Sequence, residues 1–281
     1  MGTLRRYASL MQFKIVSLLA FSTIAGFAIA RPYGALLLKS LVLATIGVIL
    51  ASAGAEVMNK LLERDIDRKM ERTRRRPSVR GLIGVRAGLL LGLGLVGTGI
   101  VLGYLVNQLA ALMILSGAVF YILVYTLILK RRSRFSVLIG GFAGSFCVWT
   151  GVAAAAGTIT VPGLILGLLV LLWIPGHIWS LALRHRDDYR RAGVPMFTAV
   201  ESERTGTLTI ALFNVLMALV TISLVPFLGI YYAAIIVIPL LLVLYLSVKV
   251  VLDSSKVWSV FKLSSPYLAF VFIAVIVATF A

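Results

Sequence analysis

The sequence predicts an all-α, polytopic membrane protein with nine transmembrane helices around a central cytoplasm-facing cavity, from its composition, its apolar run lengths and the placement of its charges. Of 281 residues, 60% are hydrophobic and 13% charged, with mean hydropathy +1.04, which excludes a water-soluble globule, a disordered chain and a disulfide-stapled fold. A spanning helix needs about 20 apolar residues, so this content suffices for about eight or nine spans. A segment in hydrocarbon must satisfy its own backbone, so the spans are helices rather than strands. The 27 Lys and Arg against 10 Asp and Glu leave a net charge of +17. In a soluble protein that balance would suggest nucleic acid. Here the basic residues fall in the breaks between apolar runs, membrane topology accounts for them, and no nucleic-acid partner is expected.

In chain order the runs are about 14–30, 33–56, 85–106, 108–129, 136–156, 160–182, 208–228, 230–252 and 263–281. Arg5, Arg6 and Lys14 flank the first, and ten basic residues, counting Arg86 at the start of the third, separate the second from the third. Four more follow the fourth run, five follow the sixth and three follow the eighth, counting Lys249 in its last turn, leaving Arg31 and Lys39 as exceptions. The alternate breaks, Asn107-Gln108, Gly157-Thr158 and Gly229-Ile230, are short and uncharged. The positive-inside rule then places the N-terminus in the cytoplasm and, with nine spans, the C-terminus outside. Met1 to Gln12 shows no cleavage site or transit composition, so a prokaryotic plasma membrane is the expected location. Cys147, within an apolar run, reads as a small buried hydrophobe.

Two polar segments hold nearly all the carboxylates. In the first, which follows the second span, Asn59, Glu63 and Asp67 stand at i, i+4 and i+8 if the helix continues, with Glu56 on the same face and Asp65 elsewhere. Such a row of oxygens suits Mg²⁺, which is held by one or two carboxylates plus substrate phosphate oxygens. Arg68, Arg72, Arg74, Arg75 and Arg76 are near enough to take remaining phosphate charge. The second segment leaves the sixth span. On one helix, His177, Arg184 and Asp188 at i, i+7 and i+11 form a second polar stripe at the same membrane face, so both stripes can line one cytoplasm-facing cavity. Blander readings stand beside these. Arg64 to Arg76 suits a solvated mixed-charge loop, Trp173 and Trp179 suit an interfacial belt, and His177 suits a polar group bonded to a backbone carbonyl.

At Asn59–Pro77 and Trp173–Met196 the sequence resembles the UbiA-type intramembrane prenyltransferases, and within them the branch that farnesylates haem. Arg64-Asp-Ile-Asp-Arg-Lys-Met-Glu-Arg-Thr-Arg-Arg-Arg-Pro77 and Asp187-Asp-Tyr-Arg-Arg-Ala-Gly-Val-Pro-Met196 carry the resemblance. A weaker match runs from Tyr125-Thr126 through Lys130-Arg131-Arg132 to Ile139-Gly-Gly141 and Ala143-Gly144. The resemblance implies one membrane-embedded domain over residues 1–281 and an Mg²⁺-dependent enzyme. Its expected reaction transfers farnesyl from farnesyl diphosphate to the vinyl group of haem b with addition of water, giving haem O and diphosphate.

The two Asp-rich motifs of the superfamily map onto Asn59, Glu63 and Asp67 and onto His177, Arg184 and Asp188, which form the implied catalytic set. Asn59, Glu63, Asp67 and Asp188 are implied metal ligands, and Arg68, Arg72, Lys130, Arg131 and Arg184 implied diphosphate contacts. His177 is implied on the acceptor side, ligating haem iron or handling a proton, with His185 competing for the ligand role. The sequence departs from the family pattern at Met11-Gln-Phe-Lys14, Phe146-Cys147, Gly176, Ile178 and Thr198, where an acceptor would pack. The alternatives are another prenyl acceptor, such as a hydroxybenzoate, quinone precursor, chlorophyllide or glycerol phosphate lipid, or a secondary transporter.

Overall fold

The computed structural model describes residues 11–30, 37–81 and 84–281. Expectations resting on Arg5, Arg6, Arg31 and residues 33–36 lie outside the described residues. In chain order the elements are α1 (Phe13–Ile29), α2 (Leu37–Leu62), α3 (Arg64–Lys69), α4 (Val85–Tyr104) and α5 (Gln108–Val119), which runs on as a π-helix (Phe120–Leu129). Then come α6 (Ser136–Gly140), α7 (Phe142–Ala156), α8 (Val161–Arg184), α9 (Arg186–Ala192), α10 (Phe197–Val200), α11 (Glu203–Ile222), α12 (Val225–Leu252) and α13 (Val257–Phe280). Among the described residues there is no strand.

Among the described residues, eight helical stretches are long and apolar enough to cross a membrane; α1, at 17 residues, is shorter. Their outer faces expose Leu38, Leu90, Ile238, Leu241 and Leu252, a surface that suits lipid and not water. The protein is a multi-pass membrane protein.

Helix ends follow local chemistry. Asn107 Oδ1 accepts from Ala110 N at 2.7 Å and Ser202 Oγ from Thr205 N at 3.1 Å, so α5 and α11 start where a side chain satisfies a free N–H. That cap starts α11 ahead of the expected 208, and it ends at Ile222 instead of 228. The reversal into α12 is completed at Gly229, whose φ of 74° and ψ of −163° belong to a region open essentially to glycine.

The last helix closes against the first: α1 packs on α2, α7 and α13, while α13 also contacts α8 and α12. Where α1 crosses α7, a Cβ on Gly151 would stand 1.9 Å from Thr23 O, and one on Gly26 2.1 Å from Val148 O. With no hydrophobic drive between helices in lipid, such backbone contact is a principal source of helix association. Cys147 is free and buried beside this crossing, and its carbonyl accepts from Thr23 Oγ1 at 3.0 Å.

Both polar segments break their helices. At Glu63 the backbone turns to φ −101°, ψ 13° between α2 and α3. Glu63 N still bonds Asn59 O at 2.9 Å and Asp67 N bonds Glu63 O at 2.8 Å, so the i, i+4, i+8 face survives the break. The second segment does not stay continuous. α8 stops at Arg184, His185 takes φ −114°, ψ 36°, and Asp188 belongs to the separate α9. The cause is a tie to the other segment: Asp188 accepts from Glu71 N at 3.0 Å and Arg72 N at 3.2 Å, which draws α9 toward the loop after α3.

Candidate active site

A cavity of about 630 Å³ is walled by α1, α2, α3, α5 with its π-helix, α6, α7, α8, α9 and α13. Glu56, Asn59, Glu63, Asp67, Arg72, Arg76 and Lys130 make one side polar, and Leu18, Leu19, Val48, Ile114, Phe146 and Ile174 make the remainder apolar. His177 also lines it, so the structure brings the first stripe, a cluster of cations and one residue of the second segment to one space.

The acids are held by specific partners. Glu63 is 2% exposed and Asp67 3%. Lys130 Nζ lies 2.5 Å from Glu63 Oε2, and Arg76 Nη1 lies 2.9 and 2.7 Å from the two oxygens of Asp67. Burial works against the Lys130 charge, but Glu63, with Tyr125, outweighs it and holds the ammonium above the ordinary lysine range. Asn59 Nδ2 donates to Thr126 Oγ1 at 2.9 Å, and that hydroxyl donates to Tyr121 O at 2.8 Å. Because the threonine proton is committed, Asn59 must present its NH₂ there, which puts the amide oxygen on the other side. One turn earlier, Tyr121 OH donates to Glu56 Oε1 at 2.7 Å and Gln12 Nε2 to Glu56 Oε2 at 3.2 Å.

The π-helix decides what the fourth span offers. At 100° per residue Tyr121 and Lys130 would face roughly opposite sides of an α-helix. The i→i+5 turn, closed by Lys130 N to Tyr125 O at 2.9 Å, brings Tyr121, Tyr125 and Lys130 to the same cavity. Tyr121 and Tyr125 stack with ring centroids 5.9 Å apart.

One atom tests the fit of a divalent ion. Glu63 Oε1 is buried and has no hydrogen-bond partner, an expense that a bound ion at that oxygen would offset. Among the described residues no group of three or more His, Cys, Asp and Glu side chains forms a chelating cluster by itself. That sparse donor set fits Mg²⁺, which takes a carboxylate or two and draws its other ligands from phosphate oxygens and water. Asn59, Glu63 and Asp67 line the cavity together and could supply such donors.

Other expected residues stand elsewhere. Asp188 is buried but is not part of the cavity wall. Burial alone would raise its carboxyl pKa, yet the Glu71 and Arg72 N–H groups and Arg191 hold it below the usual range. Through that bond it fixes the backbone of Arg72, which does line the cavity. Arg68, Arg131 and Arg184 are exposed and outside the wall. Arg131 forks onto Asp65 at 2.6 and 2.8 Å, keeping that carboxyl below its ordinary value. His185 is outside the wall too, edge-on to Trp258. Sequence reasoning did not assign roles to Tyr121 and Tyr125, because nothing in the residue types announces a π-turn. Arg76 was one arginine among five in its run, and only its contact with Asp67 distinguishes it.

The UbiA prenyltransferase family matches residues 19–279. A protoheme IX farnesyltransferase of Sulfurisphaera tokodaii is 39% identical over 96% of this chain and 92% of its own length. One of Metallosphaera sedula is 37% identical over 96% and 94%, and one of Sulfolobus acidocaldarius 36% over 97% and 95%. Among solved structures, digeranylgeranylglyceryl phosphate synthase superposes with TM-score 0.80 at 22% identity, covering 99% of both chains. A UbiA homolog from Archaeoglobus fulgidus bound to DMAPP and Mg²⁺ does so with TM-score 0.67 at 14% identity, over 97% of this chain and 99% of that one. The fold is thus shared with these solved structures, and by the extent of the family match and of the full-length relatives the chain belongs to the UbiA prenyltransferase family, a multi-pass membrane enzyme.

Proposed function

We propose that the chain transfers a farnesyl group from farnesyl diphosphate to the vinyl group of haem b with addition of water, giving haem O and diphosphate, in an Mg²⁺-dependent reaction. The observation that carries the prenyl-transfer part is the partnerless Glu63 Oε1 set among Lys130, Arg72 and Arg76 in a largely apolar cavity. The names of the relatives support haem as acceptor.

Asn59, Glu63 and Asp67 would hold Mg²⁺, which when bound neutralises charge on the diphosphate. The allylic C1–O bond breaks with its electron pair passing to the diphosphate. Lys130, Arg72 and Arg76 face the charge that develops there, as preorganised cations in a site poor in water. The vinyl terminal carbon then bonds to farnesyl C1. Water adds to the adjacent vinyl carbon and gives up a proton. The apolar wall excludes bulk water that would quench the allylic cation early and accommodates the isoprenoid tail. Asp188 acts at one remove, holding the loop that carries Arg72. The reading includes a single domain over residues 1–281, α1 as a ninth span, a cytoplasmic N-terminus, an outer C-terminus and a prokaryotic plasma membrane as location.

The test is incubation of purified protein in detergent with haem b, farnesyl diphosphate and Mg²⁺, followed by mass spectrometry of the haem. A product heavier by one farnesyl and one hydroxyl group, lost on chelation and regained with Mg²⁺, is expected. Diphosphate release with unmodified haem would reject the acceptor, and no release from folded protein would reject the reaction.

A further inference from the structure

His177 is held in a way that the transfer chemistry does not require. Its ring lies between two others on facing helices: Trp173 of α8 stacks at 4.6 Å and 19°, and Phe261 of α13 at 4.4 Å and 23°. Both faces are therefore covered and only the ring edge is left to interact. One edge is taken, since Nδ1 lies 2.6 Å from Ser264 Oγ. Ser264 is not part of the cavity wall whereas His177 is, which leaves the Nε2 edge as the one available to the cavity.

The protons can be counted. A serine hydroxyl has one, and that of Ser264 is directed to Phe261 O at 2.7 Å. With its proton directed to Phe261 O, its oxygen accepts at Nδ1, an arrangement that puts the imidazole proton on Nδ1 and leaves the lone pair on Nε2. The same residue fastens the neighbouring ring by its backbone, Trp173 Nε1 donating to Ser264 O at 2.8 Å. No carboxylate hydrogen-bonds His177 among the described residues, so an imidazolium formed in proton transfer would have no counter-charge of the kind a catalytic histidine base uses. A neutral, rotationally locked imidazole whose second nitrogen is hydrogen-bonded is instead the arrangement of a metal-ligating histidine.

We propose that His177 Nε2 is the axial ligand to the iron of the haem acceptor, with Ser264 the positioning residue that sets its tautomer and aim. This rests on the reading of haem as acceptor. His185, outside the cavity wall and edge-on to Trp258, is not the ligand. The ligation tethers the porphyrin at one point of the cavity, and the surrounding wall determines which vinyl group meets farnesyl C1.

The experiment titrates the full chain in detergent with ferric haem b alone, following the absorption and electron paramagnetic resonance signatures of histidine-bound haem. The unsubstituted chain is expected to show that signature and His177→Ala to lose it. Ser264→Ala keeps the carbonyl that holds Trp173 and removes only the hydroxyl, so it should keep the signature while weakening haem affinity about tenfold. Ser264→Thr, which retains a hydroxyl, should restore it. Addition of imidazole to His177→Gly should return the signature. Binding of farnesyl diphosphate with Mg²⁺ by each variant verifies that it is folded. A folded His177→Ala protein that keeps the histidine signature overturns the ligand assignment alone, provided the unsubstituted chain farnesylates haem. Unchanged affinity in Ser264→Ala overturns the positioning role. An unsubstituted chain that neither binds nor modifies haem overturns the inference together with the reading beneath it.

Discussion

Replacing Lys130 by Met separates what the Lys130–Glu63 pair does for stability from what it does for catalysis. The pair is close, at 2.5 Å, and buried, with side-chain exposures of 14% and 3%. Met keeps much of the aliphatic stem but leaves the second oxygen of Glu63 without its cation, beside a first oxygen that already has no partner. Removing one member of a buried pair costs about 3–5 kcal/mol, because the remaining charge is uncompensated. At about 2–4 °C per kcal/mol for chains approaching this length, the melting temperature should fall by about 10 °C. Adding Glu63→Gln removes the stranded charge and should return most of that loss. Activity should behave oppositely. Loss of a preorganised cation in the proposed leaving-group role costs about 10²–10³ in kcat, and the double variant, lacking the carboxylate proposed to hold Mg²⁺ as well, should be no better. Tryptophan-fluorescence melts in detergent and Mg²⁺-dependent diphosphate release read the two quantities. A Lys130→Met protein that melts like its parent, or a double variant that regains turnover, would refute the reasoning.

Asp188→Asn should cost about 1–3 kcal/mol, since the amide offers one acceptor oxygen to the Glu71 and Arg72 N–H groups. The native carboxyl is held below its ordinary 3.8, so its stabilisation is complete above that pH and is lost as pH falls through the lower folded value. The difference between parent and variant melts should therefore shrink on acidification below pH about 4; a constant gap would contradict the assignment. Gly151→Ala places a methyl 1.9 Å from Thr23 O and should destabilise by about 1–3 kcal/mol or more. Gly94→Ala, where nothing lies within 4 Å, should be neutral or slightly stabilising in the same melt; equal effects at the two positions would contradict the close crossing of α1 and α7.

Helical spans could be read from the residues because lipid leaves a chain few choices: apolar runs of spanning length must satisfy their own backbone. The row of Asn59, Glu63 and Asp67 was legible for a related reason, since i, i+4 spacing depends only on local hydrogen bonds, and these persist through the break at Glu63. Asp188 shows the limit of that logic. Its spacing from His177 suggested one continuous stripe, but a carboxylate that captures two N–H groups more than a hundred residues away in the chain reshapes its own helix, and no local pattern reports a distant donor.

What the chain order alone established about this protein is therefore its environment, its helical class and the chemical character of two polar segments, because composition and nearest-turn periodicity are local properties. Tertiary packing decided which of those polar groups meet. It set Lys130 against Glu63 by way of a π-turn, Arg76 against Asp67, and the Nδ1 edge of His177 against Ser264. Each of these depends on where a second segment lies, and that follows from the packing of the whole helical bundle.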